Sequence, residues 1–112
     1  MQVAARDALQ AFTTRDGSEI REFHHTSVQS LAEASLAPGQ STERHYHAAS
    51  EEIYFVLEGE GELEIDGERR HVGTGDAALI PPGAWHAIAA TSQLRFLCCC
   101  APPYSDDDTF FE

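Results

Sequence analysis

Two histidines, His45 and His47, stand two residues apart in the stretch "RHYHAASEEIYFVLEGEGELEIDGE", and the acidic pair Glu51-Glu52 follows them. On an extended strand residues i and i+2 face the same way, so both imidazoles project to one side while Arg44 and Tyr46 project to the other. In the next run Glu52, Tyr54 and Val56 share one face, and Glu51, Ile53, Phe55 and Leu57 share the opposite one. A carboxylate that turns inward beside inward-facing imidazoles is costly to bury without a partner. A divalent cation removes that cost, because neutral imidazole and carboxylate are natural ligands for it. A third imidazole, His86, follows the rigid turn Pro81-Pro82-Gly83 in "GTGDAALIPPGAWHAIAA". The alternative is a set of structural or surface histidines that happen to flank strands.

Such residues need short strands to aim them. From Glu19 onward, β-rich runs alternate with Gly/Pro/Asp/Ser turns, and candidate strands fall at 19–25, 28–37, 41–47, 52–58, 61–66, 68–73, 77–80, 85–90 and 94–101. Asp66-Gly67 between "ELEI" and "ERRHV" is a two-residue hairpin signal, since a type I′ turn needs positive φ twice. Eight or nine short strands imply an all-β barrel or jelly roll of two packed sheets. The residues before Thr13 read as a short N-terminal arm with room for a short helix.

At 112 residues the chain is expected to form one domain, 1–112. It carries 19 acidic residues against seven basic ones, all arginine, for a formal charge of −12. That balance argues against nucleic acid or an anionic membrane as partner, because phosphate binding runs on Lys/Arg neutralisation. No apolar run approaches the roughly 20 residues of a membrane span. The opening "MQVAARDALQAF" is charged and lacks an apolar core, so it does not read as a signal peptide. The three cysteines are consecutive, Cys98 to Cys100, an odd count that leaves a free thiol and suits a reducing cytoplasm. Cys98 and Cys100 share a face and are expected to be small core filler.

At this point the chain resembles the cupin superfamily. Its first motif reads Gly39, "QSTER", His45-Tyr46-His47, "AASE", Glu52, "IYFVLE", Gly59; its second reads Gly75, "DAALI", Pro81-Pro82-Gly83, "AW", His86, "AIA", then Ala90 where the family has Asn. Nine of the ten signature positions match at family spacing, across 39–59 and 75–90. The resemblance implies a double-stranded β-helix barrel of the small, conserved-barrel type, similar to the barrel core of phosphomannose isomerases, quercetin-type dioxygenases and germin-like proteins. It also implies a metal held by His45, His47, Glu52 and His86, with Fe, Mn or Ni expected and Zn an alternative. Glu51 satisfies a looser spacing; the six-residue run to Gly59 selects Glu52. Four protein ligands on a six-coordinate ion leave open positions, which suits a dioxygenase or isomerase acting on a small oxygen donor. The second reading is a non-catalytic sugar- or metabolite-binding cupin.

Two further residues are candidate catalytic groups. Tyr54, on the Glu52 face, is placed to offer a hydroxyl to a ligand, and Glu43, on the His45 face, to act as acid or base. Tyr54, Val56, Ile88 and Ala90 are expected as pocket walls. His24, His25 and His71 read as solvated, and Trp85 as packing on the side away from His86. The expected partners are a small-molecule ligand and a second copy of the chain in a homodimer.

Overall fold

A computed structural model describes residues 1–112. Its strands form in chain order: β1 (Phe12–Thr13), β2 (Glu19–His25), β3 (Ser30–Leu36), β4 (His45–His47), β5 (Glu51–Glu58), β6 (Glu60–Ile65), β7 (Glu68–Gly73), β8 (Ala77–Ile80), β9 (His86–Ala90), β10 (Leu94–Ala101) and β11 (Thr109–Phe111). The strands pair antiparallel into a six-stranded sheet, β1-β2-β3-β10-β5-β8, and a five-stranded sheet, β11-β4-β9-β6-β7. The fold is all-β, a double-stranded β-helix. No helix is long and apolar enough to cross a membrane.

Alternation decides what each strand buries. In β5 the residues from Glu51 to Val56 alternate exposed and buried, so Glu52, Tyr54 and Val56 turn inward while Glu51, Ile53 and Phe55 face outward. The core packs Leu36, Val56, Ile80, Ile88, Leu94 and Phe96 between the sheets. Asp66 and Gly67 take φ of 49° and 87°, as a type I′ hairpin requires. Gly59, between β5 and β6, has φ +87°, and a Cβ there would lie 2.0 Å from the Gln93 carbonyl oxygen. Only glycine satisfies both demands.

The short N-terminal arm is present as expected, while β1 and β11 at the two ends of the chain were not expected as strands. The arm makes a single 3-10 turn, Arg6–Ala8, with no buried residue, and then β1 pairs with β2. It is held by charge rather than by an apolar face. Arg6 Nε donates to both oxygens of Glu33, at 3.1 and 3.3 Å. Arg95 Nη1 donates to Glu33 Oε2 at 3.0 Å. Downstream, β11 was not expected as a strand; it pairs with β4 along its whole length. The acidic run Asp106–Asp108 forms a second 3-10 turn, and the Asp108 carboxylate accepts bonds from the amides of Ala48, Ala49 and Ser50. Those bonds fix the loop between β4 and β5.

Burial works against the Glu33 charge, but bonds from Arg6 and Arg95 outweigh it and hold the carboxyl below its ordinary range. Glu33→Gln should therefore cost about 2 kcal/mol of stability at neutral pH, the scale of hydrogen bonds to a charged group. A carboxyl depressed in the folded state contributes its stability above its unfolded pKa and loses it as pH falls through the folded one. The gap between parent and variant should hold from neutral pH down to about 4.5 and close below it. Denaturant melts across the acid range measure this; a gap that stays constant with pH would discount the charge.

Candidate metal centre

The sheet geometry brings three imidazoles to one point. His45 and His47 turn inward from β4, and His86 opens β9, paired in register with His45. Ring centroids lie 4.3 Å apart for His45–His86, 5.1 Å for His45–His47 and 5.5 Å for His47–His86. One nitrogen from each ring lies within 4.8 Å of the other two. All three side chains are buried.

Their orientation is set by backbone acceptors. His45 Nδ1 donates to the Glu43 carbonyl at 2.7 Å, and His86 Nδ1 donates to the Ala84 carbonyl at 2.9 Å. His47 Nδ1 faces the Asp108 carbonyl at 3.2 Å and the Thr109 hydroxyl at 3.3 Å. A carbonyl can only accept, so each neutral ring carries its proton on Nδ1 and turns the Nε2 lone pair to the centre. Metal-ligating histidines are held in this way, the second nitrogen donating to a carbonyl or carboxylate.

Glu52 completes the group from β5. Its Oε1 lies 3.4 Å from His47 Nε2 and 3.5 Å from His86 Nε2. Its Oε2 accepts from the Cys100 thiol at 3.2 Å. Glu52 Oε1 and His86 Nε2 are the two buried side-chain polar atoms that find no hydrogen-bond partner. A proton or a cation between these groups would satisfy them, so the donor set fits a divalent metal. Burial opposes the Glu52 charge, but His47 and His86 outweigh it and lower the carboxyl to about 2. Burial also lowers His45, and neighbouring His86 adds to that. Burial acts the same way on His47, yet the nearby Glu52 carboxylate overrides it and raises that ring.

The group opens on a small cavity of about 50 Å³. Tyr54 lines it, as expected, but the remaining walls differ. Val56, Ile88 and Ala90 belong to the packed core, and the cavity is walled instead by Phe12, Ile20, Ala32, Ala34 and Phe96. It therefore lies toward β1, β2 and β3. Burial and then Glu52 push the Tyr54 hydroxyl well above its usual range, so it keeps its proton and can only donate to an anionic neighbour.

The other candidates fall outside. Glu43 is exposed; it serves the site through its carbonyl, not its carboxylate. His24, His25 and His71 are exposed, and Glu51 faces solvent. Trp85 packs on the outer face, 4.7 Å from Tyr46 and under the Arg44 guanidinium. Two cavity carboxylates were missed in the sequence, Glu22 and Asp16, and Asp16 Oδ2 lies 4.0 Å from His45 Nε2. Cys98 and Cys100 do share an inward face, yet both line the cavity, and Cys100 holds the site carboxylate rather than merely filling space.

Residues 32–100 match the family model described as a cupin domain. The chain belongs to the cupin family. Over 110 residues it is 44% identical to an uncharacterized protein of Methanocaldococcus jannaschii, covering 92% of this chain and 88% of that one. It is 33% identical over 79 residues to an oxalate-binding protein of Thermotoga maritima, covering 69% of this chain and 65% of that one. The fold superposes on KdgF from Halomonas sp. with a TM-score of 0.86 and 21% identity, covering 96% of this chain and 97% of that one. In this cupin β4 and β5 contribute both to the donor set and to the cavity wall, through His45, His47 and Glu52.

Thiol access should follow the geometry. Cys99 is exposed, Cys98 intermediate and Cys100 buried. A bulky disulfide reagent should titrate one thiol rapidly in the native protein and the other two only on unfolding. Equal rates for all three would mean that the cavity wall opens.

Proposed function

We propose that this cupin binds one divalent transition metal through the Nε2 atoms of His45, His47 and His86 and a carboxylate oxygen of Glu52, and presents it to a small oxygen-donor ligand. The observation that carries this is the convergence of three backbone-oriented imidazoles on a buried carboxylate, with Glu52 Oε1 and His86 Nε2 left without protein partners. A mixed nitrogen and oxygen set suits Fe²⁺, Mn²⁺ or Ni²⁺ and also accepts Zn²⁺. When bound, such an ion supplies Lewis-acid polarisation of a ligand oxygen or one-electron chemistry with O₂. The chain supplies the rest. Backbone carbonyls hold the rings, Cys100 holds Glu52, and Tyr54 donates a hydrogen bond into a largely apolar cavity, a common composition for small-molecule sites.

On this reading the protein is a metalloenzyme of the dioxygenase or isomerase type. Sugar phosphates fit poorly, because no lysine or arginine lines the cavity. A second reading, binding without turnover, is favoured by the Thermotoga relative described as an oxalate-binding protein. Oxygen uptake or ligand conversion by metal-loaded protein separates the two. The homodimer belongs to the same proposal: Ile53, Phe55 and Leu79 stay exposed on the outer face of β5 and β8, and sedimentation at several concentrations tests whether a second copy covers them.

Elemental analysis tests the ligands. His47→Ala and His86→Ala should each lose stoichiometric metal, and Glu52→Gln should weaken binding more than Glu51→Gln. Metal loading should raise the melting temperature of the parent and chelation should reverse the rise, by linkage. Full metal retention in both histidine variants would move the site elsewhere.

A further inference from the structure

Asp16 sits in the turn between β1 and β2, and the turn is tied down across the molecule. The Glu43 amide donates to the Asp16 carbonyl at 2.9 Å. Gln40 Nε2 donates to the Gly17 carbonyl at 2.8 Å. Within the turn, Asp16 Oδ1 accepts three bonds: from Thr14 Oγ1 at 2.6 Å, the Ser18 amide at 2.9 Å and Ser18 Oγ at 2.7 Å. Those donors saturate one oxygen and fix the carboxylate plane. The other oxygen, Oδ2, faces the cavity with His45 Nε2 4.0 Å away, and no hydrogen bond to it is made within the chain.

We propose that Asp16 is a ligand-binding residue that accepts a hydrogen bond from a hydroxyl of the molecule bound at the metal, so that the site selects ligands carrying an O–H beside their metal-binding oxygen. This rests on the metal reading above and deepens it. The acidic side chains lining the cavity are Asp16, Glu22 and Glu52, and no cationic side chain lines it. Glu52 and Asp16 already match the charge of a divalent ion and Glu22 adds one more negative charge, so a dianion such as oxalate meets no further positive charge. It also meets an oxygen, Asp16 Oδ2, that can only accept. A catechol monoanion keeps one O–H and satisfies that oxygen.

Asp16→Asn turns this into an inversion test. The three donors on Oδ1 orient the amide, so its oxygen takes the Oδ1 place and its nitrogen faces the cavity. An acceptor becomes a donor with almost no change in shape. Catechol and oxalate are the two probes, titrated calorimetrically into metal-loaded parent and variant whose metal content is measured first. Catechol affinity should fall by about tenfold or more, the scale of one hydrogen bond to a charged group. Oxalate affinity should rise, and metal content should stay equal. Ser18→Ala, which removes one of the orienting bonds and leaves the carboxylate, should weaken catechol in the same direction by less. Affinities unchanged, or shifted the same way for both probes, overturn the role of Asp16 while leaving the metal reading intact. Metal loss from Asp16→Asn makes Asp16 a metal ligand and overturns it too. A parent protein that takes up no metal overturns the metal reading and this inference with it.

Discussion

A carboxylate enclosed by protein has to be met by charge or by donors, and Glu52 is that carboxylate here. It is 4% exposed, placed by the inward phase of β5, with one oxygen on a thiol and the other 3.4 and 3.5 Å from two imidazole nitrogens but without a hydrogen bond. Burial of such a group against an apolar core costs several kcal/mol unless it is paired. Everything around it serves that pairing. β4 and β9 are registered so that His45 and His86 face each other, and three backbone carbonyls fix which nitrogen of each ring looks inward.

Much of this is legible in the sequence, for local reasons. Strand alternation is a property of neighbouring residues, so the inward set of Glu52, Tyr54 and Val56 and the outward set of Glu51, Ile53 and Phe55 could be read directly. The Asp66-Gly67 turn was equally local, because its dihedral demands fall on two adjacent residues. The three histidines needed the resemblance as well, since His86 is far from His47 in sequence and only the family spacing links them.

What was not legible came from contacts with no spacing rule. Asp16 reaches the site because the Glu43 amide and the Gln40 side chain bind the backbone of its turn, and nothing in "TTRDGSE" announces those partners. Glu43 looked like an acid or base because it shares the phase of His45, but the strand proper begins only at His45, and before it the side chain leaves the sheet for solvent. The cavity walls were misassigned for a similar reason. Alternation says which residues point inward, not which end of the barrel packs solid and which stays open. The anchoring of the arm was not legible either, because apolar patterning cannot register an ion pair between Arg6 and Glu33.

The family model spans residues 32–100, and two groups that shape the site lie outside that span. Asp16 precedes it, and the Asp108 carbonyl that orients His47 follows it. The three histidines and Glu52 thus lie inside the matched span, while part of the cavity wall, including Phe12, Asp16, Ile20 and Tyr104, lies outside it. On the role proposed for Asp16, a substitution in the turn before β2 would change what meets a ligand while the three histidines and Glu52 stay unchanged. Relatives with an identical set of three histidines and a glutamate are then free to prefer different molecules. Any transfer of a substrate from one to another should be judged on the turn before β2 and on the final strand, not on the shared motifs.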